Sequence, residues 1–324
     1  MKISVIGLGI YSIAISSLLA KNDNKICIWT ESQEKYEEYK KTKKVSSIID
    51  APLSKNIKIS TNMEEVLKDT QIIYIITASK YVDSVVQKIK PFYHKNAPVC
   101  IASKGIEETS ECFLSDIVRK NLKTKHIAVI SGPTFAVDIL NNEPVALALG
   151  SISKKARNLV LKTLSSNTLK LRPTNDIIGI QICGAIKNII AIASGILKGL
   201  SYNDSTQAFL INEAMHDIKD IIYYFGGKPK TVLSFAGIGD LMLTCTSTKS
   251  RNFSFGYVIG STNNVQKIND YLAHNTVEGY YTLDTVYRIL NRKNVQIDLI
   301  TIIYNIVYNG ENPNTLVSFL ITKK

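Results

Sequence analysis

Lys187 is the residue of this chain whose surroundings most need a chemical explanation. It lies inside a long apolar run, residues 177–200, with Gly184 one helical turn before it and Asn188 directly after it. A helix that crossed a bilayer would hold this ammonium near the centre at a cost of roughly 2.5 to 3.5 kcal/mol, so we expect a buried helix and no membrane span. Apolar walls lower the pKa of a lysine toward the range that is useful for proton transfer. A lysine whose head reaches water is the alternative interpretation.

A second group of polar residues lies further along the chain. If this segment is helical, the Asp240 carboxylate and the Thr244 hydroxyl lie one turn apart on the same face. Arg251 is suited to hold a phosphate because its planar guanidinium can donate two hydrogen bonds, and Asn252 can add an amide donor. The alternative interpretation is a glycine-rich loop with a solvated arginine.

The start of the chain predicts a site for the pyrophosphate of a dinucleotide. A short apolar strand, residues 2–6, leads into Gly7 and Gly9, and an apolar helix follows at residues 13–20. Backbone amides and the positive end of a helix together suit such an anion. Ser12 stands where a third glycine is usual, and serine is small enough to fit there with some loss of packing.

Glu31 follows the second predicted strand, residues 25–30. This is where an acidic residue would accept hydrogen bonds from the ribose hydroxyls of the adenosine. A carboxylate there should repel a 2′-phosphate, so the sequence favours NAD as the cofactor, with NADP still possible. The alternative interpretation is a solvated glutamate at the start of a polar helix.

Strand-like and helical segments alternate over the first half of the chain, which is typical of a mostly parallel sheet with helices on both faces. Lys104 follows the fifth predicted strand, and a polar turn follows the next one at residues 131–136. The strand signal fades after residue 175, and apolar periodicities predict helices at residues 181–200, 206–224, 269–273, 280–290 and 299–308. The prediction is therefore an α/β protein with a cofactor-binding domain, residues 1–175, and an all-α substrate-binding domain, residues 176–324.

The net charge of +12 is compatible with a nucleic-acid partner, an anionic substrate or a lysine-rich composition. The lysines are spread along the chain without a compact basic cluster that contains aromatic residues, so we expect no nucleic-acid partner. The five cysteines show no paired spacing and are predicted to be buried, reduced thiols. Because the first residues lead directly into a strand, we expect no signal peptide. Together with the reduced thiols, this predicts a cytoplasmic location, and no metal site is expected.

Taken in order, these motifs resemble those of bacterial NAD(P)-dependent glycerol-3-phosphate dehydrogenases. The resemblance extends over nearly the whole chain and is carried by residues 103–107, 132–136, 184–188, 239–246, 250–252 and 277–279. It implies a Rossmann-type N-terminal domain and reversible hydride transfer between NAD(P)H and dihydroxyacetone phosphate, which gives sn-glycerol 3-phosphate. It also implies a homodimer and a role in supplying glycerol 3-phosphate for phospholipid synthesis.

The resemblance also implies roles for individual residues. Lys187 would donate and accept the proton, and Lys104 would contact both the substrate and the nicotinamide side of the cofactor. The other residues expected at the substrate are Gly132, Thr134, Asp240, Thr244, Ser250, Arg251 and Asn252. The residues expected at the cofactor are Gly7, Gly9, Ile10, Tyr11, Glu31, Lys104, Ala136, Arg251, Thr276 and Glu278, although Thr276 occupies a position that is usually aliphatic.

Two other functions fit parts of the sequence. A related two-domain dehydrogenase for a hydroxy acid or a sugar acid would share both halves, but it is not expected to carry residues 240–252 in this form. A redox sensor would bind NADH without turnover. The joint presence of four charged residues argues against a sensor: Lys104, Lys187, Asp240 and Arg251.

Overall fold

The computed structural model describes residues 1–42, 53–262 and 264–323. The chain forms two compact units: unit 1 is Met1–Ser103 with Cys112–Ile177, and unit 2 is Lys104–Glu111 with Ile178–Lys324. The short segment Lys104–Glu111 therefore belongs to unit 2, although the chain on both sides of it belongs to unit 1. The domain boundary predicted between residues 175 and 176 stays a prediction, and each unit is described by itself.

Unit 1 contains an eight-stranded sheet made of β1 (Lys2–Ile6), β2 (Lys25–Trp29), β3 (Ile57–Ser60), β4 (Ile72–Ile75), β5 (Val99–Ile101), β6 (Ile127–Ser131), β7 (Val145–Gly150) and β8 (Leu169–Thr174). The strand order is β3-β2-β1-β4-β5-β6-β7-β8. Adjacent strands are parallel except for β6 and β7. The inner strands are buried along their length and rich in isoleucine and valine, because both faces of the sheet are covered. This confirms the mostly parallel sheet that the sequence predicts.

The helices of unit 1 are α1 (Ile10–Ala20), α2 (Gln33–Thr42), α3 (Met63–Leu67), α4 (Val82–Ile89), α5 (Leu114–Leu122), α6 (Ala136–Leu140) and α7 (Lys154–Thr163). α1 and α7 bury their apolar residues against β1, β4 and neighbouring strands, and these residues form the core of the unit. α5 begins at Leu114, after Glu111, whose φ of +53° lies in the left-handed region and outside a right-handed helix.

Unit 2 is helical, with α8 (Ile177–Gly199), α9 (Asp204–Tyr224), α10 (Asp240–Cys245), α11 (Arg251–Thr262), α12 (Val265–His274), α13 (Glu278–Arg292), α14 (Asp298–Tyr308) and α15 (Thr315–Thr322). No strand occurs in the part of unit 2 that the structure describes, so the predicted all-α half is confirmed. The apolar periodicity of the sequence does not predict α11 or α15. In α11, glycine and serine lower the helix propensity, and packing on α8 compensates for it.

α8 is the central helix of unit 2. It is the one helix in the described ranges that is long and apolar enough to cross a membrane, and nearly all of its residues are buried within the protein. Its apolar surface is therefore covered by neighbouring helices, as expected for a core helix.

Four glycines bring α8 and α11 into backbone contact. A Cβ atom at Gly195 would lie 2.0 Å from the Phe253 carbonyl oxygen, and one at Gly256 would lie 1.9 Å from the Ile192 carbonyl oxygen. Gly199 and Gly260 make the same kind of approach one turn further along. Since no side chain separates the helices at these points, the first residues of α11 are held at a fixed distance from α8.

Candidate active site

Lys187 lies on the buried length of α8 and is only 7% exposed. Its Nζ atom donates to Asp240 Oδ1 at 2.7 Å and to Thr244 Oγ1 at 2.7 Å. The ammonium is thus held by two acceptors in a site from which bulk water is excluded. A lysine that extends to solvent, the alternative interpretation of the sequence, is wrong.

Asp240 is positioned by a tight turn that precedes α10. Residues 235–239 form a π-helical turn with a kink at Gly237, where a Cβ atom would lie 2.0 Å from the Val232 carbonyl oxygen. α10 then begins at Asp240, and Thr244 follows one turn later, where its hydroxyl donates to the Asp240 carbonyl at 2.6 Å. The predicted helical pairing of Asp240 and Thr244 is confirmed, and the glycine-rich segment before them is a specific turn.

Lys104 completes a buried ion cluster. Its Nζ atom donates to Asp240 Oδ2 at 2.7 Å, and its side chain is 16% exposed. Asp240 therefore accepts a hydrogen bond from one lysine on each carboxylate oxygen. The cluster of two ammonium groups and one carboxylate carries one net positive charge. Such a cluster favours the binding or the development of negative charge beside it.

The pKa values of Lys187 and Asp240 are both lowered, but for different reasons. Burial lowers the pKa of Lys187 to about 8, Asp240 opposes this shift, and the neighbouring Lys104 ammonium adds to it. Burial alone would raise the pKa of Asp240, but the ammonium groups of Lys104 and Lys187 hold it below its usual value. Lys187 is therefore an amine that can exchange a proton near neutral pH while Asp240 stays ionised.

The start of α11 presents donors that suit an anion. Ser250 is buried, and its Oγ atom caps the helix by accepting from the Phe253 amide at 3.3 Å. Arg251 and Asn252 are the first two residues of α11. The Arg251 side chain is exposed, and the amides at a helix N-terminus add to the positive potential around it.

α13 is fixed to the same part of unit 2. The Gly279 amide donates to Asn252 Oδ1 at 2.8 Å, and a Cβ atom at Gly279 would lie 2.6 Å from the Asn188 carbonyl oxygen. Glu278 begins the helix, and burial raises its pKa against the opposing effect of Arg251, Lys104 and Lys187. Thr276 lies just before the helix and is exposed.

In unit 1, the first glycine turn has the shape that a pyrophosphate needs. Gly7 has a φ of +114°, and a Cβ atom there would lie 2.5 Å from the Ile76 carbonyl oxygen. No atom lies within 4 Å of a Cβ atom built at Gly9, and α1 begins directly afterwards with Ile10. The turn therefore leaves space beside a helix N-terminus, which is where a nucleotide pyrophosphate binds.

Ser12 takes the place of the third glycine without an unsatisfied hydroxyl. It is 1% exposed, and its Oγ atom donates to the Gly9 carbonyl at 2.7 Å and accepts from the Gly9 amide at 2.8 Å. The serine therefore stabilises the turn.

The remaining predicted residues of unit 1 lie at two strand ends. Tyr11 shares a hydrogen bond of 3.0 Å with Thr134, which joins the glycine turn to the loop after β6. In this loop, a Cβ atom at Gly132 would lie 2.5 Å from the Ala146 carbonyl oxygen, and Ala136 begins α6. Glu31 is exposed after β2 and forms an ion pair with Lys88. Its expected contact with a ribose stays a prediction.

The structure thus divides the predicted residues into two sets. Unit 1 holds Gly7, Gly9, Ile10, Tyr11, Glu31, Gly132, Thr134 and Ala136, and unit 2 holds Lys104, Lys187, Asp240, Thr244, Ser250, Arg251, Asn252, Thr276 and Glu278. The sequence did not predict that Lys104 belongs to the helical unit. It also missed the ion pairs of Glu111 with Arg288 and Arg292, for which the only sequence signal is the spacing of two arginines on one helix face.

The chain matches two family profiles that lie side by side. Residues 2–157 match the N-terminus of NAD-dependent glycerol-3-phosphate dehydrogenase, and residues 176–318 match its C-terminus. Together these matches cover most of the chain.

Individual proteins agree with the profiles. The chain is 34% identical to glycerol-3-phosphate dehydrogenase [NAD(P)+] of Vesicomyosocius okutanii, over 99% of this chain and 97% of that protein. It is 31% identical to the protein of the same name from Thermoanaerobacter sp., over 100% of this chain and 97% of that one. The crystal structure of glycerol-3-phosphate dehydrogenase from Coxiella burnetii superposes with a TM-score of 0.93 at 26% identity, covering 99% of each chain. With the fold and both halves matched, this chain belongs to the NAD-dependent glycerol-3-phosphate dehydrogenase family.

Proposed function

We propose that this protein is an NAD(P)-dependent glycerol-3-phosphate dehydrogenase that interconverts dihydroxyacetone phosphate and sn-glycerol 3-phosphate. The observation that carries the proposal is the buried cluster of Lys187, Asp240 and Lys104 in a chain of this family. Family membership gives the reaction class, and the cluster supports the proposal because it contains an amine that can transfer a proton near neutral pH.

Lys187 is the proposed proton donor and acceptor. During reduction of the ketone, its ammonium would give a proton to the oxygen that becomes the new hydroxyl, and its neutral amine would take the proton back in the reverse direction. Lys104 would stabilise the negative charge that develops on this oxygen, and Asp240 keeps both lysines in place through its two oxygens. Thr244 orients the Lys187 amine by accepting its second hydrogen bond.

Arg251 and Asn252 are the proposed phosphate ligands. The support for this role is their position at the start of α11, where the guanidinium and the helix N-terminus both favour an anion. Holding the phosphate would fix which carbon of the substrate faces the cofactor. Gly132 and Thr134, at the end of β6, and Ser250 are further proposed substrate contacts.

The cofactor is the proposed ligand of the glycine turn in unit 1. Gly7 and Gly9 leave room beside the start of α1, so Ile10 and Tyr11 would bind the pyrophosphate through their backbone amides. When bound, the nicotinamide supplies or accepts the hydride. We also propose Ala136, Arg251, Thr276 and Glu278 as cofactor contacts, and a preference for NAD that rests on Glu31.

The wider setting of the enzyme is proposed from the family alone. We propose a homodimer in the cytoplasm that supplies glycerol 3-phosphate for phospholipid synthesis. No nucleic-acid partner is part of this proposal.

The test of the proposed function follows NADH and NADPH oxidation at the absorbance band of the nicotinamide. We expect rapid oxidation with dihydroxyacetone phosphate, a preference for NADH, and little oxidation with unphosphorylated dihydroxyacetone, because the phosphate positions the substrate. NADH binding without oxidation would contradict the proposal and favour a redox sensor. Oxidation with a 2-keto acid in place of the phosphorylated ketone would favour a hydroxy-acid dehydrogenase.

A further inference from the structure

Glu111 ends the short segment Lys104–Glu111 that belongs to unit 2. Its carboxylate is 10% exposed and forms ion pairs with Arg288 and Arg292 on the last turns of α13. Arg288 also donates to the Glu108 carbonyl at 3.3 Å. Asp284, one turn earlier on α13, accepts from Arg288 Nε at 3.0 Å and so holds the guanidinium toward the segment.

Hydrogen bonds within the segment hold its interior together. The buried Glu107 carboxylate accepts from the Thr109 amide at 3.2 Å, from the Ser110 amide at 2.7 Å and from the Ser110 hydroxyl at 2.6 Å. The Ile106 side chain is buried as well. These bonds stiffen residues 107–110, which lie between Glu111 and Lys104, so a constraint on Glu111 limits how far Lys104 can move.

α13 connects this anchor to the lysine cluster. Its first turn is fixed to Asn252 by a hydrogen bond and approaches the carbonyl of Asn188, the residue after Lys187, too closely for a Cβ atom. From Glu278 to Arg288 the helix rises about 15 Å at its standard rise per residue. The arginines that hold Glu111 therefore sit on a rigid element whose other end is docked beside the cluster.

The backbone conformation at Glu111 does not favour glutamate. Its φ of +53° lies in the left-handed region, where glycine, asparagine and aspartate are the usual residues. The two ion pairs account for a glutamate at this position because its longer side chain reaches both arginines.

We propose that Glu111, held by Arg288 and Arg292, is the positioning residue that keeps the Lys104 ammonium against Asp240. This proposal rests on the proposed dehydrogenase function, in which Lys104 stabilises charge on the reacting oxygen. Glu111 touches neither substrate nor cofactor in this role and acts only through the segment that carries Lys104.

The expected consequence of losing the anchor follows from the charges that face Lys187. These groups are Asp240, Lys104, Glu278 and the Cys245 thiol, and Arg251 acts on Glu278 in turn. If Lys104 moves away, Lys187 loses its nearest like charge and shares Asp240 with no other lysine, so its pKa rises. The pH at which ketone reduction declines should then move upward.

The experiment compares the wild-type chain with Glu111→Gln, Glu111→Asp and Arg288→Gln. Glu213→Gln is the matched control, since Glu213 forms a comparable partly buried ion pair with Lys323 elsewhere in unit 2. The first readout is the rate at which acetic anhydride labels Lys104, measured by peptide mass spectrometry. The second readout is the pH profile of kcat/KM for dihydroxyacetone phosphate, and thermal denaturation reports whether each variant is folded.

We expect Glu111→Gln and Arg288→Gln to raise the labelling rate of Lys104 severalfold, to lower kcat/KM roughly tenfold and to move the alkaline limb to higher pH. Glu111→Asp should restore part of each effect because it keeps the charge, and Glu213→Gln should match the wild type. Unchanged labelling of Lys104 and an unchanged pH limb in a folded variant would overturn the proposal. If Glu111→Gln does not fold, the labelling rate and pH profile of Arg288→Gln support or overturn the proposal. Arg288 is partly solvated, so we expect this variant to fold.

The two readouts separate this proposal from the proposed function. If the wild-type chain does not reduce dihydroxyacetone phosphate, the proposed function fails. The labelling rate of Lys104 still decides whether Glu111 holds this lysine in place, because it does not depend on turnover.

Discussion

Asp240 accepts hydrogen bonds from Lys104 and Lys187, one on each carboxylate oxygen, at 2.7 Å each. A buried carboxylate with two ammonium groups is stable only as a unit, because removal of one partner leaves an uncompensated charge in a site of low dielectric. The arrangement sets the pKa of Lys187 at about 8. Burial is the main cause of this low pKa, and the Asp240 carboxylate limits the shift by favouring the charged amine.

This account predicts a pH dependence of opposite sign for the two reaction directions. Reduction needs the protonated amine, so its rate should fall as pH rises above about 8. Oxidation needs the neutral amine, so its rate should rise through the same pH range. Asp240→Asn removes the charge that raises the pKa of Lys187. The alkaline limb of the reduction profile, which is the pH range where the rate declines, should therefore move to lower pH by roughly one to two units.

The measurement is the pH profile of kcat for both directions in the wild type and in Asp240→Asn. Asp270→Asn is the matched control because Asp270 is exposed on α12 and its carboxylate accepts a hydrogen bond from the neutral Gln266 side chain. A limb that stays in place or moves upward in Asp240→Asn would contradict the assignment of this limb to Lys187.

Arg251 is predicted to determine the affinity for the phosphorylated substrate. Arg251→Met should raise the KM for dihydroxyacetone phosphate roughly tenfold to a hundredfold, because charge-assisted hydrogen bonds to the phosphate are lost. With NADH at saturation, so that the proposed cofactor contact of Arg251 does not limit the rate, the weak activity with unphosphorylated dihydroxyacetone should not change, since that substrate has no phosphate for the guanidinium to bind. An equal loss for both substrates would mean that Arg251 acts on the reacting end instead.

At the scale of elements, the contact between α8 and α11 places the proposed phosphate ligands relative to Lys187. The approach depends on glycine because a Cβ atom at Gly256 would lie 1.9 Å from the Ile192 carbonyl oxygen. Backbone cannot yield as a flexible side chain can, so the two helices would have to move apart.

Gly256→Ala should therefore lower the free energy of unfolding by about 1 to 3 kcal/mol and raise the KM for dihydroxyacetone phosphate, because the start of α11 shifts. Urea unfolding followed by circular dichroism measures the first effect, and steady-state kinetics measures the second. Ser261→Ala, at an exposed position of the same helix, is the control and should change neither quantity. A Gly256→Ala variant as stable as this control would show that the helices are not in close contact.

The sequence predicted those elements whose residues repeat a clear pattern. Continuous apolar runs predicted the strands, and the apolar periodicity of α13 and α14 predicted these helices to within a few residues. The same reasoning missed α11, because its glycines disfavour a helix locally and only their contact with α8 explains them. Tertiary packing of this kind leaves no periodic signal in one sequence.

At the scale of the whole molecule, the sequence predicted the two halves and the family, and both are confirmed. It did not predict that Lys104–Glu111 joins the helical unit. From the sequence, a segment between two strands is expected to belong to the domain that contains the sheet. The partners of this segment in unit 2, Asp240 and the arginines of α13, lie far away in the chain. The residue types were enough to identify the candidates, whereas only the fold shows which of them lie close together.

The most direct test of the account is single-turnover reduction of dihydroxyacetone phosphate by Lys187→Met with NADH, beside Lys198→Met as the control. Both lysines lie on α8, but Lys198 is exposed near the end of the helix and pairs weakly with Asp204. We predict that Lys187→Met binds NADH normally and loses at least a thousandfold in the rate of reduction, while Lys198→Met keeps the wild-type rate. A Lys187→Met enzyme that is folded and reduces the ketone at the wild-type rate would contradict the central claim that the buried cluster transfers the proton.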